Sequence, residues 1–219
     1  IANALITSGM FNNVLLVVGD TITRSLNRFD KSARMLFGDS ATATFLSTQE
    51  GIAEILGDFV LGTDGSGSQN LVIPSGGFRI PKSAETAIEK EDEEGNIRSL
   101  ENLYMNGKEI FMFSIKRVPE VINNLIAKTG ISLDEVDWFI FHQANKFILD
   151  FLAKKMKIPS SKVLLSLEEY GNTSSASIPL TLKDSQNKGV FRKGDLIMLV
   201  GFGVGYSWGA NLIRWTAES

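Results

Sequence analysis

Trp138-Phe139-Ile140-Phe141-His142-Gln143-Ala144-Asn145 is a run of four large apolar residues that gives way abruptly to polar ones. A short, continuous apolar run of this kind is the pattern of a strand covered on both faces. Helical periodicity follows at once. Asn145 is a suitable N-cap, and Phe147, Ile148, Phe151 and Leu152 supply one apolar face over residues 146–157. A buried strand feeding a helix is a building unit of layered α/β folds. His142, the only histidine of the chain, stands at the junction.

Downstream the unit repeats. Residues 163–165 read as a short strand, 174–188 as a helix and 196–200 as a strand entered from the turn Lys193-Gly194-Asp195. Gly203-Val204-Gly205-Tyr206-Ser207-Trp208-Gly209 then joins a closing strand at 210–215. Upstream, Ile110, Phe113 (or Phe111), Val118, Val121, Ile122 and Leu125 fall near a 3.6-residue period. They predict a helix over 106–128, kinked at Pro119 and ended by Gly130. Ser132-Leu133-Asp134-Glu135 resembles a capping box.

Residues 74–104 have turn chemistry and the charge run Glu89-Lys90-Glu91-Asp92-Glu93-Glu94-Gly95, and read as a solvated surface insertion. Nearer the start, residues 1–8 read as the end of a helix with Gly9 in the C-cap region, and 14–18 as another strand covered on both faces. Arg24, Arg28, Lys31 and Arg34 load a loop with positive charge. Gly38-Asp39-Ser40-Ala41-Thr42-Ala43-Thr44 has the small residues needed where backbone approaches backbone or ligand. Strand-like segments continue to about Leu61, followed by a glycine- and serine-rich loop over 62–68. The expected fold is α/β, layered, with two parts: 1–104, ending in the insertion, and 105–219, carrying His142.

Composition narrows the function. At 219 residues, 43% hydrophobic and 21% charged, the chain can bury a substantial core. A net charge of −3 argues against binding nucleic acid through phosphate contacts. No apolar stretch reaches the ~18 residues of a membrane span. The first residues contain no initiating methionine, basic region or cleavage site, and read as the middle of a longer protein. Zero cysteines exclude disulfides and thiolate metal sites and suit a cytoplasmic protein. The glycines of 203–209 miss the dinucleotide fingerprint, whose third glycine is one position earlier and opens a helix. There is no Gly-Lys-Ser/Thr phosphate loop, and one histidine without cysteine makes a poor zinc site. No cofactor and no metal are expected.

A second polar cluster, Tyr170-Gly171-Asn172-Thr173-Ser174-Ser175, lies where a loop passes into a helix. An imidazole and a carboxamide on two such junctions can converge on one carbonyl oxygen, an arrangement suited to enolate or oxyanion chemistry. Taken singly, each residue has a plainer reading. A lone histidine at a strand end is usually hydrogen-bonded for structure, and asparagine beside glycine usually belongs to a turn or cap.

Together the motifs resemble a known family. His142-Gln143-Ala144-Asn145, Tyr170-Gly171-Asn172-Thr173-Ser174-Ser175-Ala176-Ser177-Ile178-Pro179 and Phe202-Gly203-Val204-Gly205-Tyr206-Ser207-Trp208-Gly209 are similar to β-ketoacyl-acyl-carrier-protein synthase III, of the thiolase-like condensing superfamily. Phe37-Gly38-Asp39-Ser40-Ala41-Thr42-Ala43 and Met105-Asn106-Gly107-Lys108-Glu109-Ile110-Phe111 add to the likeness.

The resemblance implies a thiolase-like layered fold and a decarboxylative Claisen condensation that initiates fatty acid biosynthesis. A cysteine thiolate takes an acyl group from acyl-CoA, malonyl-acyl carrier protein loses CO₂, and the resulting enolate attacks the acyl-enzyme. On this likeness His142 and Asn172 donate hydrogen bonds to the malonyl thioester oxygen, and the backbone N–H of Val204 serves the acyl-enzyme oxyanion. Phe111, Gly107 and Asn145 would line the substrate pocket; Lys31 and Lys146 would meet the CoA or carrier. Where relatives carry an arginine for the carrier, two residues past the motif's asparagine, this chain has Phe147, so Lys154, Lys155 and Lys157 become candidates for that charge. The resemblance also implies a homodimer paired through 14–18. The family's nucleophile is absent and belongs shortly before Ile1. The 219 residues therefore read as the larger C-terminal part of such an enzyme, inactive alone, unless the parent lacks the cysteine. The alternatives are a related condensing enzyme of a secondary pathway and a catalytically silent partner in a condensing heterodimer.

Overall fold

The computed structural model describes residues 1–218. α1 (Ala2–Thr7) leads into the antiparallel pair β1 (Asn13–Asp20) and β2 (Ser40–Ser47), followed by β3 (Ala53–Thr63). Four two-residue strands come next: β4 (Leu71–Val72), β5 (Lys90–Glu91), β6 (Ile97–Arg98) and β7 (Tyr104–Met105), with β4 paired to β7 and β5 to β6. α2 (Gly107–Thr129), β8 (Trp138–Phe141), α3 (Lys146–Met156), α4 (Leu167–Tyr170), α5 (Ser177–Asn187), β9 (Leu196–Gly203) and β10 (Ser207–Trp215) complete the chain.

The principal sheet has the order β3-β10-β9-β8, with β10 antiparallel to both neighbours and β8 parallel to β9. Side-chain alternation sorts its core into two layers. Phe139, Phe141, Met198, Val200, Phe202 and Leu212 face α2 and α3, packing with Val118, Ile122, Leu149 and Leu152. Ile140, Ile197, Ile213 and Trp215 face the other way, with Ile178 and Leu182 of α5 against them. Helices on both faces are why β8 and β9 are apolar without interruption. β3 joins the sheet through β10, so the sheet draws on both parts expected from the sequence.

α2 begins where Asn106 accepts the Glu109 N–H at 3.2 Å and ends at Gly130, which adopts φ +74°. It runs through Pro119 as one helix. Proline has no N–H for the carbonyl four residues back, that of Ile115. The Lys155 ammonium on α3 donates to that carbonyl at 2.7 Å, tying the two helices together where the ladder is broken.

Several sequence expectations need correction. β1 is not covered on both faces: Leu15, Leu16 and Val17 are exposed, and among the described residues β2 is its only strand partner. Residues 163–165 form no strand; Val163 makes a single parallel bridge to Phe139. The helix expected over 174–188 starts as a 3₁₀ turn at Ser174–Ala176, with Ser174 at φ +53°, and becomes α-helical at Ser177. β9 and β10 run further than expected, meeting in a tight hairpin at 204–206.

Residues 74–104 are mostly exposed but firmly anchored. Asp30, fully buried, accepts from Arg98 at 2.8 Å and from the Ser32 hydroxyl at 2.6 Å. Asn96 accepts the Lys31 N–H at 3.1 Å, and Asn27 donates to Glu89 at 2.6 Å. Burial acts to raise the Asp30 carboxyl, but the Ser32 and Arg98 hydrogen bonds and the Arg98 charge outweigh it and hold the group below the ordinary carboxylate range.

Candidate active site

His142 continues the ladder of β8, its N–H donating to the Val200 carbonyl at 2.8 Å. Even-numbered residues of β8 face α5, and His142 keeps that parity. Its Nδ1 lies 2.7 Å from the Ser177 hydroxyl at the start of α5. The Phe202 ring stands edge-on to the imidazole, centroids 5.5 Å apart. Enclosure by protein lowers the imidazole pKa from 6.5 to about 4, a main-chain hydrogen bond at Ser174 acting weakly the other way. At neutral pH the ring is uncharged and offers one N–H.

Gln143 fixes the turn that aims His142. Its side chain is fully buried, donating to the carbonyls of Phe141 at 2.9 Å and Leu164 at 3.3 Å and accepting the Ser166 N–H at 3.0 Å. Both N–H donors and the oxygen of the amide are engaged by main chain. This is a structural role.

Asn172 is held from the other side. Its main chain bridges the strand-like segment before β2: Asn172 N–H donates to Leu36 at 2.8 Å, and Gly38 N–H donates to Asn172 at 3.0 Å. The approach is so close that a Cβ on Gly38 would lie 2.1 Å from the Tyr170 carbonyl oxygen. Gly171, at φ +68°, would place a Cβ 3.0 Å from the Leu36 oxygen. Of the small residues at 38–44, Gly38 is thereby accounted for. The Asn172 side chain is buried, and its oxygen accepts the Ser174 N–H at 2.9 Å. Because a main-chain donor occupies the oxygen, the NH₂ end is the one left to meet a ligand.

His142 and Asn172 thus reach the same turn, one bonded to Ser177 and the other to Ser174. Asp20 at the end of β1 secures this turn by accepting from the Ser175 hydroxyl at 2.6 Å and the Ser175 N–H at 3.2 Å. A cleft of about 240 Å³ is lined by Leu36, Ala144, Asn145, Lys146, Glu168 and Gly171, sequence neighbours of His142 and Asn172, though neither of those two lines it.

The remaining candidates fall in several places. Val204 is exposed at the hairpin, two residues beyond Phe202. Asn145 caps α3, accepting the Ile148 N–H at 2.8 Å, and Lys146 pairs with Asp150 at 2.9 Å. Gly107 opens α2. Phe111 packs against Phe147 and Phe151, centroids 5.5 and 5.2 Å away. Lys31 is exposed on the loop bonded to Asn96. Lys155 is exposed and donates to the Ile115 carbonyl, which fixes where its ammonium sits without neutralising its charge. Sequence reasoning assigned no role to Ser177, Gln143 or Asp20. Only strand parity, carried through His142 toward α5, offered a signal for Ser177. Among the described residues no cluster of histidine or carboxylates suits a metal ion, and no helix is long and apolar enough to cross a membrane.

Comparison with known proteins identifies the family and the fold. The family described as 3-oxoacyl-[acyl-carrier-protein (ACP)] synthase III matches residues 1–65, and its C-terminal counterpart matches residues 126–215. The β-ketoacyl-[acyl-carrier-protein] synthase III of Caldanaerobacter subterraneus subsp. tengcongensis is 36% identical over 216 residues, covering 99% of this chain and 62% of the relative. A crystal structure of a 3-oxoacyl-(acyl-carrier-protein) synthase III superposes with a TM-score of 0.93 at 46% identity, covering 98% of this chain and 64% of the other. The priming β-ketosynthase of the R1128 polyketide pathway gives 0.79 at 28% identity, covering 100% and 61%. The chain therefore spans a little over three-fifths of the length of the relatives it matches. With its two motifs meeting at one turn inside this α/β fold, the chain belongs to the synthase III family of thiolase-like condensing enzymes.

Proposed function

We propose that this chain carries the enolate-stabilising half of a decarboxylating condensing site that joins an acyl group from acyl-CoA to malonyl-acyl carrier protein and so begins fatty acid synthesis. The observation that carries this reading is the shared turn: a neutral imidazole and a carboxamide with a committed oxygen are anchored three residues apart, at Ser177 and Ser174. Each offers an N–H and neither brings a full charge. As the C–C bond to the malonyl carboxylate breaks, CO₂ departs and the electron pair moves onto the thioester as an enolate. Two N–H donors then meet the negative oxygen. One donor of this kind is worth roughly 2.7–4 kcal/mol of barrier, or about 10²–10³ in rate.

The chain has no cysteine, so the thiolate that accepts the acyl group and releases CoA would come from residues outside these 219. Attack of the enolate on the acyl thioester forms the new C–C bond and returns the thiolate, with the Val204 N–H serving the tetrahedral oxyanion. Phe111, Gly107 and Asn145 are assigned to the substrate side, and Lys31 and Lys146 to the CoA or carrier. The exposed Leu15, Leu16 and Val17 on β1 support a homodimer joined along that strand, in a cytoplasmic enzyme. The Phe147 substitution and the likeness to a polyketide-priming synthase favour, as a second reading, a donor or carrier other than those of fatty acid synthesis.

The test is to incubate the full-length protein with acyl-CoA and malonyl-acyl carrier protein and follow the carrier by mass spectrometry. A carrier extended by the acyl group with loss of CO₂ supports the reading. Unchanged malonyl carrier, or hydrolysis without C–C bond formation, contradicts it.

A further inference from the structure

We propose that Ser177 is a positioning residue that donates its hydroxyl hydrogen to Nδ1 of His142 and thereby holds the imidazole proton on Nε2. The inference rests on the reading of His142 as an N–H donor and specifies which nitrogen donates. The Ser177 oxygen lies 2.7 Å from Nδ1 and also receives the Gln143 N–H at 3.4 Å. Ser177 is 1% exposed, so water is not available to settle its hydroxyl.

A hydroxyl has one hydrogen and two lone pairs. If Nδ1 carried the proton, the Ser177 oxygen would receive two N–H groups and its own hydrogen would point at no acceptor. Among the described residues no acceptor other than Nδ1 lies within hydrogen-bonding reach of this hydroxyl. The nearby hydroxyls are already engaged: Thr181 donates to the Ser177 carbonyl at 2.8 Å and shares a 2.7 Å contact with Ser166. With the proton on Nε2, each group around Ser177 finds a partner, and buried polar groups strongly favour complete pairing. The main chain at Ser174 hydrogen-bonds the ring and favours its protonated form, acting against the burial that keeps it neutral.

His142 is the only histidine of these 219 residues, and in the histidine-labelled full-length protein a His142→Ala control identifies its imidazole signals. Long-range ¹H–¹⁵N correlation at neutral pH should show Nδ1 at the shift of an unprotonated nitrogen and Nε2 at that of an N–H. Ser177→Ala should transfer population to the Nδ1–H form, and Ser177→Thr should restore the parent pattern. An Nδ1–H signal in the parent chain, or a Ser177→Ala pattern identical to the parent, overturns the proposal. Should Ser177→Ala not fold, the parent spectrum alone still decides. In the full-length enzyme Ser177→Ala should lower kcat for decarboxylation about tenfold or more at unchanged KM, less than the ~10⁴ seen where a charged residue sets a catalytic tautomer. The spectrum requires no substrate. An Nε2–H tautomer in an enzyme indifferent to His142→Ala would therefore refute the functional reading and leave the tautomer assignment standing.

Discussion

His142 is partly buried, and desolvation by the surrounding protein lowers its pKa to about 4, with the Ser174 main chain acting the other way. The sign of the consequence is fixed by linkage. Between about pH 4 and 6.5 the unfolded chain binds a proton that the folded chain does not, so stability falls as pH drops through that window and is unaffected by this residue above it. Following the imidazole C2 proton by NMR against pH should give a midpoint well below 6.5, near 4. A midpoint at or above 6.5 would show that the ring is hydrated or charge-paired. His142 and Asn172 were legible in the sequence because each stands in a distinctive motif at a strand or loop end. Ser177 was not: a serine in a serine-rich helix start has many local hydrogen bonds open to it, and its partner lies 35 positions away.

Among the elements, α2 shows how a local rule can be satisfied from a distance. Pro119 leaves the Ile115 carbonyl without its helical donor, and Lys155 of α3 replaces it. Lys155→Met should cost roughly 0.5–1.5 kcal/mol in urea denaturation, the net worth of one hydrogen bond. In a Pro119→Ala background, where the main chain regains its N–H, the same change should cost less. Equal costs in both backgrounds would mean that Lys155 acts independently of the broken ladder. Proline predicted a disturbance near its own position, but nothing local to α2 indicated a lysine on another helix. Strand reading failed for a related reason. Residues 163–165 and 14–18 are equally apolar runs, yet the first makes one bridge and the second an exposed two-stranded pair. Pairing partners, which a short apolar run does not encode, decide between these outcomes.

For the molecule as a whole, the layered α/β architecture was readable from strand–helix alternation over the last third of the chain, where burial is deepest. The ordering of 74–104 was not, since its charges read as solvated while Arg98 in fact reaches the buried Asp30. The site is a product of the complete assembly. β8 and β9 aim His142, α5 carries Ser177, the loop before β2 holds Asn172, and Asp20 of β1 secures the turn between them. The central claim, that His142 and Asn172 stabilise the enolate and take no part in acyl transfer, is tested most directly in the full-length enzyme with His142→Ala and Asn172→Asp, the latter keeping the oxygen that accepts from Ser174 while losing the N–H donor. Each variant should lose about 10²–10³ in malonyl decarboxylation while still taking up the acyl group from acyl-CoA, as read by intact-protein mass. Acylation and decarboxylation falling together, or decarboxylation unchanged in either variant, would contradict it.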